Sequence, residues 1–308
     1  MSEALLQGLA PASRALLHVA AVQELVPIGM ALHPPLAADP AEAVAPLCER
    51  GLLVPGEISG LYALSPMGYA LRDAVLERWP MLHETLRPLL LEHLDTLDLS
   101  DTLRRALHRI DRADFLPERV RILADMDLAA PIDQEGMTTS APHALVAILG
   151  AVKPRSAERV LICGAKGGVT LALAAHMVGR EGEALALDWN PDTVGHVSAS
   201  LAAYPALNAS VRQQNDVTLG APGPWSVVVV NGSVPKIPWP LVEQLGPGGR
   251  ILLFLQTPDQ PGQACYLLHH DGSVDHDTQL SRYCFTPIYG RYGWDRLEEL
   301  RERARGGD

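Results

Sequence analysis

The segment Arg159–Val178, RVLICGAKGGVTLALAAHMV, leaves this chain little freedom in what it can fold into. An apolar strand runs into a glycine-rich turn and straight on into an apolar helix, the opening half of a βαβ unit. Gly164 permits the tight turn, and Gly167 and Gly168 let a ligand approach the backbone at the helix N-terminus. No Gly-Lys-Ser/Thr follows, so the turn is not a phosphate-binding Walker loop, and its glycine spacing is not Gly-x-Gly-x-x-Gly either.

Beyond Pro131 the same alternation repeats. Strands are expected at Arg159–Cys163, Glu183–Asp188, Ala209–Arg212, Trp225–Val230, Arg250–Leu255 and Ala264–His269, with helices at Val169–Val178, Thr193–Ala203 and Trp239–Leu245. This order predicts an α/β fold: a Rossmann-like, doubly wound, mostly parallel sheet. A hairpin turning at Asp271-Gly272 adds antiparallel edge strands.

The first 80 residues have a different texture. Helical apolar spacing covers residues 11–25, a second helix covers Ala41–Arg50 and ends at Gly51, and Leu52–Val54 with Leu61–Leu64 read as a two-stranded wing. Ser65-Pro66 then caps a helix from Met67 to about Trp79. The stretch GLLVPGEISGLYALSPMGYAL resembles the end of a winged-helix domain, a shape shared by transcription factors and by dimerisation modules. The expected organisation is a small helical winged-helix-like module over 1–80, a helical connector over 81–126, the Rossmann-like domain over 127–295 and a charged helix or tail over 296–308.

Charge separates the possible partners. The chain carries 25 Lys and Arg against 36 Asp and Glu, a net charge of −11, and residues 1–80 hold four arginines against eight carboxylates. Without basic flanks a recognition helix would meet DNA with repulsion, so the module is expected to pair two copies of the chain or to dock a partner. Aromatic residues make up 5% of the chain, too few for base-stacking platforms. The apolar run Leu16–Ala37 is broken by Glu24, Pro27 and Pro34-Pro35, which argues against a membrane span, and Glu3 stands where a secretory signal would carry a cation. Cys48, Cys163, Cys265 and Cys284 are scattered without a Cys-x-x-Cys pair, as expected of a cytoplasmic protein in a reducing setting.

Two carboxylates mark the mouth of the expected sheet. Asp188 ends the second strand about 20 residues after the glycine turn, where a carboxylate can accept both hydroxyls of a ribose. Nicotinamide dinucleotides and S-adenosylmethionine share this arrangement. Asp216, after the third strand, is placed to meet an adenine amino group or simply to cap its loop. With Trp189, Val217 and Asn231 these residues and the turn Gly164, Lys166, Gly167, Gly168 form the candidate cofactor set.

The ordered landmarks from about Asp101 to Tyr289 resemble the protein-L-isoaspartate O-methyltransferases. They begin with TLRRALHRIDRADFLPE and continue with Gly136-Met137-Thr138-Thr139-Ser140-Ala141-Pro142, which agrees with that family's Gly-Gln-Thr-Ile-Ser-Gln-Pro at four of seven places. The glycine turn, Asp188 and Asp216 follow in order, then VVVVNGSVPKIPWPLVEQLGPGGRILLFL and the closing Cys284-Phe285-Thr286-Pro287-Ile288. The resemblance implies S-adenosylmethionine as cofactor, a carboxylate on a protein, peptide or small molecule as methyl acceptor, Ser140 as the hydroxyl beside that carboxylate, and Thr138 nearby. Locally, Ser140 also suits a helix N-cap ahead of Pro142. The chain departs from the family pattern at Ile162, where an acid is usual, and at Lys166, where a glycine is usual. A lysine there either clamps the cofactor's carboxylate or fills the space its methionine end needs.

The expected function is therefore S-adenosylmethionine-dependent carboxyl methylation. A non-catalytic descendant of the fold and a nucleic-acid methyltransferase are the alternatives. No metal is expected: His269-His270-Asp271 and Asp275-His276-Asp277 straddle a hairpin turn, where polar residues belong. No Gly-x-Ser-x-Gly elbow or metalloprotease helix gives a hydrolase a foothold.

Overall fold

A computed structural model of the chain describes residues 5–23, 25–27, 39–132, 137–257, 262–278 and 280–296. The charged tail expected over 296–308 lies outside the described residues beyond Arg296, as does Gly136. The chain divides into two compact units, the first comprising 1–98, 112–132 and 141–143, the second the remainder. Residue 80 falls within the first turn of a helix, so the structure sets no break there.

The first unit opens with helix α1 (Pro11–Gln23), whose Leu16, Leu17, Ala20 and Ala21 are buried, followed by strand β1 (Leu25–Pro27). Helix α2 (Pro40–Glu49) is capped by Asp39, whose side chain accepts the Ala41 N–H. Strands β2 (Leu53–Pro55) and β3 (Leu61–Leu64) form the expected hairpin, and β1 pairs with β3 from the other side to give an antiparallel order β1–β3–β2. The third strand is a finding that the apolar helical spacing of residues 11–25 concealed.

Ser65 caps the next helix as expected, but the helix over Met67–Trp79 is two short ones, α3 (Pro66–Ala70) and α4 (Arg72–Leu76), separated at Leu71. Helix α5 (Trp79–Asp95) buries Leu82, Leu86, Leu90 and Leu94 at four-residue steps. The unit is completed by two 3-10 turns (Arg112–Phe115 and Glu118–Leu123) and strand β4 (Ala130–Pro131). Arg112 is buried and donates to the carbonyls of Leu123, Ala124, Met126 and Leu128, fixing the loop that carries Asp125 and Asp127.

The second unit holds α6 (Asp101–Arg109), β5 (Thr138–Thr139), most of α7 (Pro142–Val152), and then the alternation read from the sequence. Strands β6 (Arg159–Cys163), β7 (Glu183–Asp188), β8 (Ala209–Gln213), β9 (Trp225–Val234), β10 (Leu245–Leu255), β11 (Ala264–His269) and β12 (Val274–Asp277) form one sheet in the order β12–β11–β10–β9–β6–β7–β8. The five from β6 to β10 are parallel, and β11 and β12 add the antiparallel hairpin. Helices α8 (Val169–Val178), α9 (Pro191–Leu201) and α10 (Trp239–Glu243) make the crossovers.

Val160–Cys163, Val227–Val230 and Ile251–Phe254 are fully buried, which is why these strands read as unbroken apolar runs: parallel strands covered on both faces have no solvent side to mark. Helix α8 is apolar all round for the same reason. Strand β9 continues four residues beyond Val230 through Asn-Gly-Ser, and β10 begins five residues before Arg250, across a register irregularity. No helix among the described residues is long and apolar enough to cross a membrane.

The strand order reverses beside β6, which pairs with β7 on one side and β9 on the other. The crevice outside the carboxyl ends of strands at such a switch is where open α/β sheets bind ligands. At the opposite end, Arg250 locks the sheet to α7. Its guanidinium spans Glu158 at 2.9 and 3.0 Å, and it donates to the carbonyls of Val152 and Lys153. Replacing Arg250 by Met takes the guanidinium from Glu158, which keeps the Arg155 N–H, and from the carbonyls of Val152, Lys153 and Ser226, and should lower stability by about 2 kcal/mol. Arg159→Met removes a pair with Glu183 in which both side chains are more than a third exposed and should cost about 1 kcal/mol. Urea unfolding followed by circular dichroism checks both; equal losses would contradict the assignment.

Candidate functional site

The turn after β6 is built by hydrogen bonds to β7. Gly164 N and Ala165 N both donate to the Leu187 carbonyl, at 2.8 and 3.1 Å, and Lys166 N donates to Asp188 Oδ2 at 3.1 Å. Asp188 Oδ1 accepts the Asn190 N–H at 3.1 Å. One carboxylate therefore ties the glycine turn to the start of the next helix. A carboxylate offers about four acceptor sites, so capacity for a hydroxyl donor remains beyond these bonds. Burial pushes the Asp188 carboxyl above its ordinary value, partly offset by those N–H bonds and by the Lys166 charge.

Gly164 has φ +96, and a Cβ there would come within 2.8 Å of Ile288 Cδ1. The tight approach is thus made by the chain itself: Ser233 N donates to Thr286 O and Ile288 N to Ser233 O, pinning residues 286–288 beside the end of β9. Asn231, 2% exposed, donates through Nδ2 to the Gly164 carbonyl at 3.0 Å, while its Oδ1 is buried without a hydrogen-bond partner.

Lys166 does not turn outward. Its φ is +48, a left-handed conformation that disfavours side chains by about 1–2 kcal/mol. The residue is 3% exposed, and its Nζ donates to Thr286 Oγ1 at 2.8 Å. Burial, partly offset by the neighbouring Asp188 charge, lowers the ammonium to about 8.

Asp216 caps a 3-10 turn (Val217–Leu219), where Val217 is buried. Its Oδ1 accepts from Thr218 N and Oγ1, and its Oδ2 accepts the Arg291 N–H at 2.8 Å. Gly290 has φ +140, and a Cβ would fall 2.1 Å from Asp216 Oδ1, so only glycine allows this loop to close on the carboxylate. Trp189 meets Tyr289 edge to face at 6.4 Å and lies 4.2 Å beneath the Arg296 guanidinium. Thr138 lies in β5 and Ser140 two residues on, both half-buried on the approach to α7.

Thr286, Ile288, Tyr289, Arg291 and Arg296 were not legible as site residues. Only the first two fall in the Cys-Phe-Thr-Pro-Ile landmark, and nothing local in the sequence marks the return of residues 289–296 to the mouth of the sheet. At the hairpin, His269 pairs with Asp275 at 3.0 Å and Asp271 accepts from Ser273. No group of three metal-capable side chains forms among the described residues.

Residues 89–292 match the model of the family described as "Protein-L-isoaspartate(D-aspartate) O-methyltransferase (PCMT)". The chain is 33% identical over 216 residues to a protein-L-isoaspartate O-methyltransferase 1 of Archaeoglobus fulgidus, covering 69% of this chain and 97% of that one. A protein of the same name from Rhodopseudomonas palustris is 33% identical over 191 residues, 61% of this chain and 76% of its own length. Among solved structures, a protein-L-isoaspartate O-methyltransferase superposes with a TM-score of 0.59 at 23% identity over 71% of this chain and 69% of its own. One described as a putative protein-L-isoaspartate O-methyltransferase from Plasmodium falciparum, in complex with S-adenosyl-L-homocysteine, gives 0.54 at 19% identity over 64% and 95%. The two superpositions show the fold.

The buried Lys166 makes a titration prediction. Its pKa near 8 lies below the unfolded 10.5, so between those values the unfolded chain binds the extra proton and the lysine's contribution to stability rises with pH across that window. Lys166→Met should lack this rise in unfolding measurements. By carbon NMR, one lysine side chain should titrate near pH 8, and Asp188→Asn should lower its midpoint further. A midpoint near 10.5 would contradict the burial.

Proposed function

The chain belongs to the protein-L-isoaspartate(D-aspartate) O-methyltransferase family, a family of S-adenosylmethionine-dependent carboxyl methyltransferases, and on that premise we propose that its second unit methylates isoaspartyl carboxylates of damaged proteins at the mouth of β6, β7 and β9. The observation that carries this reading is the buried Asp188 carboxylate, which braces the glycine turn and still has acceptor capacity for the cofactor's ribose hydroxyls. The orphaned Asn231 Oδ1 beside the turn is an acceptor suited to a cationic donor such as the cofactor's ammonium.

Lys166 acts in this reading as a clamp for the cofactor's carboxylate. Thr286 takes one of its three N–H donors, and an ammonium is a compact point charge for an anionic group. When bound, the cofactor would supply an electrophilic methyl group on a positive sulfur, which a carboxylate can accept without a proton being moved. The chain's task is placement. Ser140, with Thr138 nearby, orients the acceptor carboxylate, and residues 286–288 with the buried turn keep water out. Excluding water favours a step in which an anion and a cation become neutral.

The first unit serves as a winged-helix-like module that pairs two copies of the chain. The order helix, strand, helix, hairpin and the sheet β1–β3–β2 support it, as does the apolar surface of Val54, Ile58, Met67 and Tyr69. The four cysteines are unpaired, in keeping with a reducing, cytoplasmic setting.

Labelled S-adenosylmethionine should transfer its methyl group to an isoaspartyl peptide and not to its aspartyl isomer. Asp188→Ala should weaken cofactor binding by about 1–3 kcal/mol. Full transfer by that variant would remove Asp188 from the site, and bound cofactor without transfer to the peptide would reassign the acceptor. For the module, light scattering of the intact chain should give a dimer that Ile58→Lys with Tyr69→Lys dissociates; a monomeric wild type would refute the pairing.

A further inference from the structure

The amino-acid end of S-adenosylmethionine is a zwitterion, so a pocket that holds it meets an ammonium as well as a carboxylate. At the turn after β6 the chain offers these two groups unequal partners. Lys166 is the cationic one. Its side chain is buried and its Nζ donates to Thr286 Oγ1, which leaves further N–H donors on a charged group withdrawn from water. A buried cation only partly met is unfavourable by itself, and the φ of +48 opposes folding further, so stability alone would place glycine here.

Among the described residues no anion balances this charge where the family resemblance led us to expect one. Ile162 is fully buried, and its register partners Ala186 in β7 and Val229 in β9 are equally buried and apolar. Burial holds the Cys163 thiol far above its usual range, so the last residue of β6 carries no charge. The Asp188 charge reaches Lys166, but its oxygens already accept the N–H groups of Lys166 and Asn190, and the ribose is assigned to what remains. Asp216 accepts from Thr218 and from the Arg291 N–H. What is left for an ammonium is Asn231 Oδ1, a neutral amide oxygen buried without a partner.

From this imbalance we infer that the site selects its nucleoside by the carboxylate and dispenses with the ammonium, and so takes deaminated, carboxylate-bearing thioethers of adenosine as a ligand class alongside the cofactor. The inference rests on the proposed methyltransferase reading. Lys166 gives the carboxylate charge-assisted hydrogen bonds in a setting sheltered from water, where such bonds are strongest. The same charge repels an ammonium, and the amide oxygen of Asn231 offsets that repulsion without exceeding it.

The test is calorimetric titration of the full chain with three probes: S-adenosylhomocysteine, S-adenosylthiobutyrate, which lacks the ammonium, and S-adenosylthiopropylamine, which lacks the carboxylate. The butyrate should bind within about threefold of S-adenosylhomocysteine, and the amine about thirtyfold or more below the butyrate, a difference of about 2 kcal/mol. Lys166→Gly suits φ +48 and should fold, and it should bring the two half-ligands within about threefold of each other. At about pH 9 the butyrate should bind with uptake of a proton, because its carboxylate keeps Lys166 charged above the value of about 8 that the lysine has beside Asp188 alone; Lys166→Gly should show no uptake. Equal affinity for the two half-ligands, or a preference that survives in Lys166→Gly, overturns the inference while bound S-adenosylhomocysteine leaves the methyltransferase reading standing. No binding of any of the three at millimolar concentration removes that reading and the inference with it.

Discussion

Asp188 carries a buried carboxylate at the end of β7, and through its bonds to Lys166 N and Asn190 N it joins the turn after β6 to the start of α9. Both bonds are to backbone, so the carboxylate shapes the mouth of the sheet rather than merely decorating it. The Leu187 carbonyl receives Gly164 and Ala165 beside it, and the Asp188 carbonyl receives Gln214 at 2.8 Å. Three successive strand ends thereby acquire fixed relative positions, and the remaining acceptor capacity of one buried anion points the site toward hydroxyl donors.

The unusual member of the site is Lys166. Placing a side chain at φ +48 and an ammonium in the interior opposes stability twice. The structure answers with two contacts, the Asp188 carboxylate on its N–H and the Thr286 hydroxyl on its Nζ. With Ile162 fully buried in β6, where the family resemblance led us to expect an acid, the local charge of the pocket shifts toward positive. Such a pocket favours the carboxylate of an amino-acid cofactor over its ammonium. In the proposed reading, Asn231 Oδ1, buried without a partner, is the acceptor that serves the ammonium.

Much of this was legible in the sequence because the central strands are apolar throughout and end at glycine or aspartate. β6, β7, α8 and β11 begin and end where the runs do. β9 was longer than its apolar run because Asn231-Gly232-Ser233 carries turn-forming residues, yet stays in the sheet by pairing with β10 and with residues 286–288. β1 was hidden because three residues following a helix carry no alternation of their own. Asp216 was legible as a carboxylate near the site or a loop cap, but not as the anchor of residues 290–292, since that bond spans 75 residues and depends on Gly290. The inward course of Lys166 was equally invisible, because its partner Thr286 lies 120 residues away.

The most direct test of the account is calorimetric titration of the wild-type chain with S-adenosylhomocysteine, the product left after methyl transfer. The account predicts a single saturable site of micromolar affinity, with Lys166 engaged by the ligand's carboxylate. No heat at millimolar ligand would mean that Lys166 occupies the place the cofactor needs, and that the fold survives here without its chemistry.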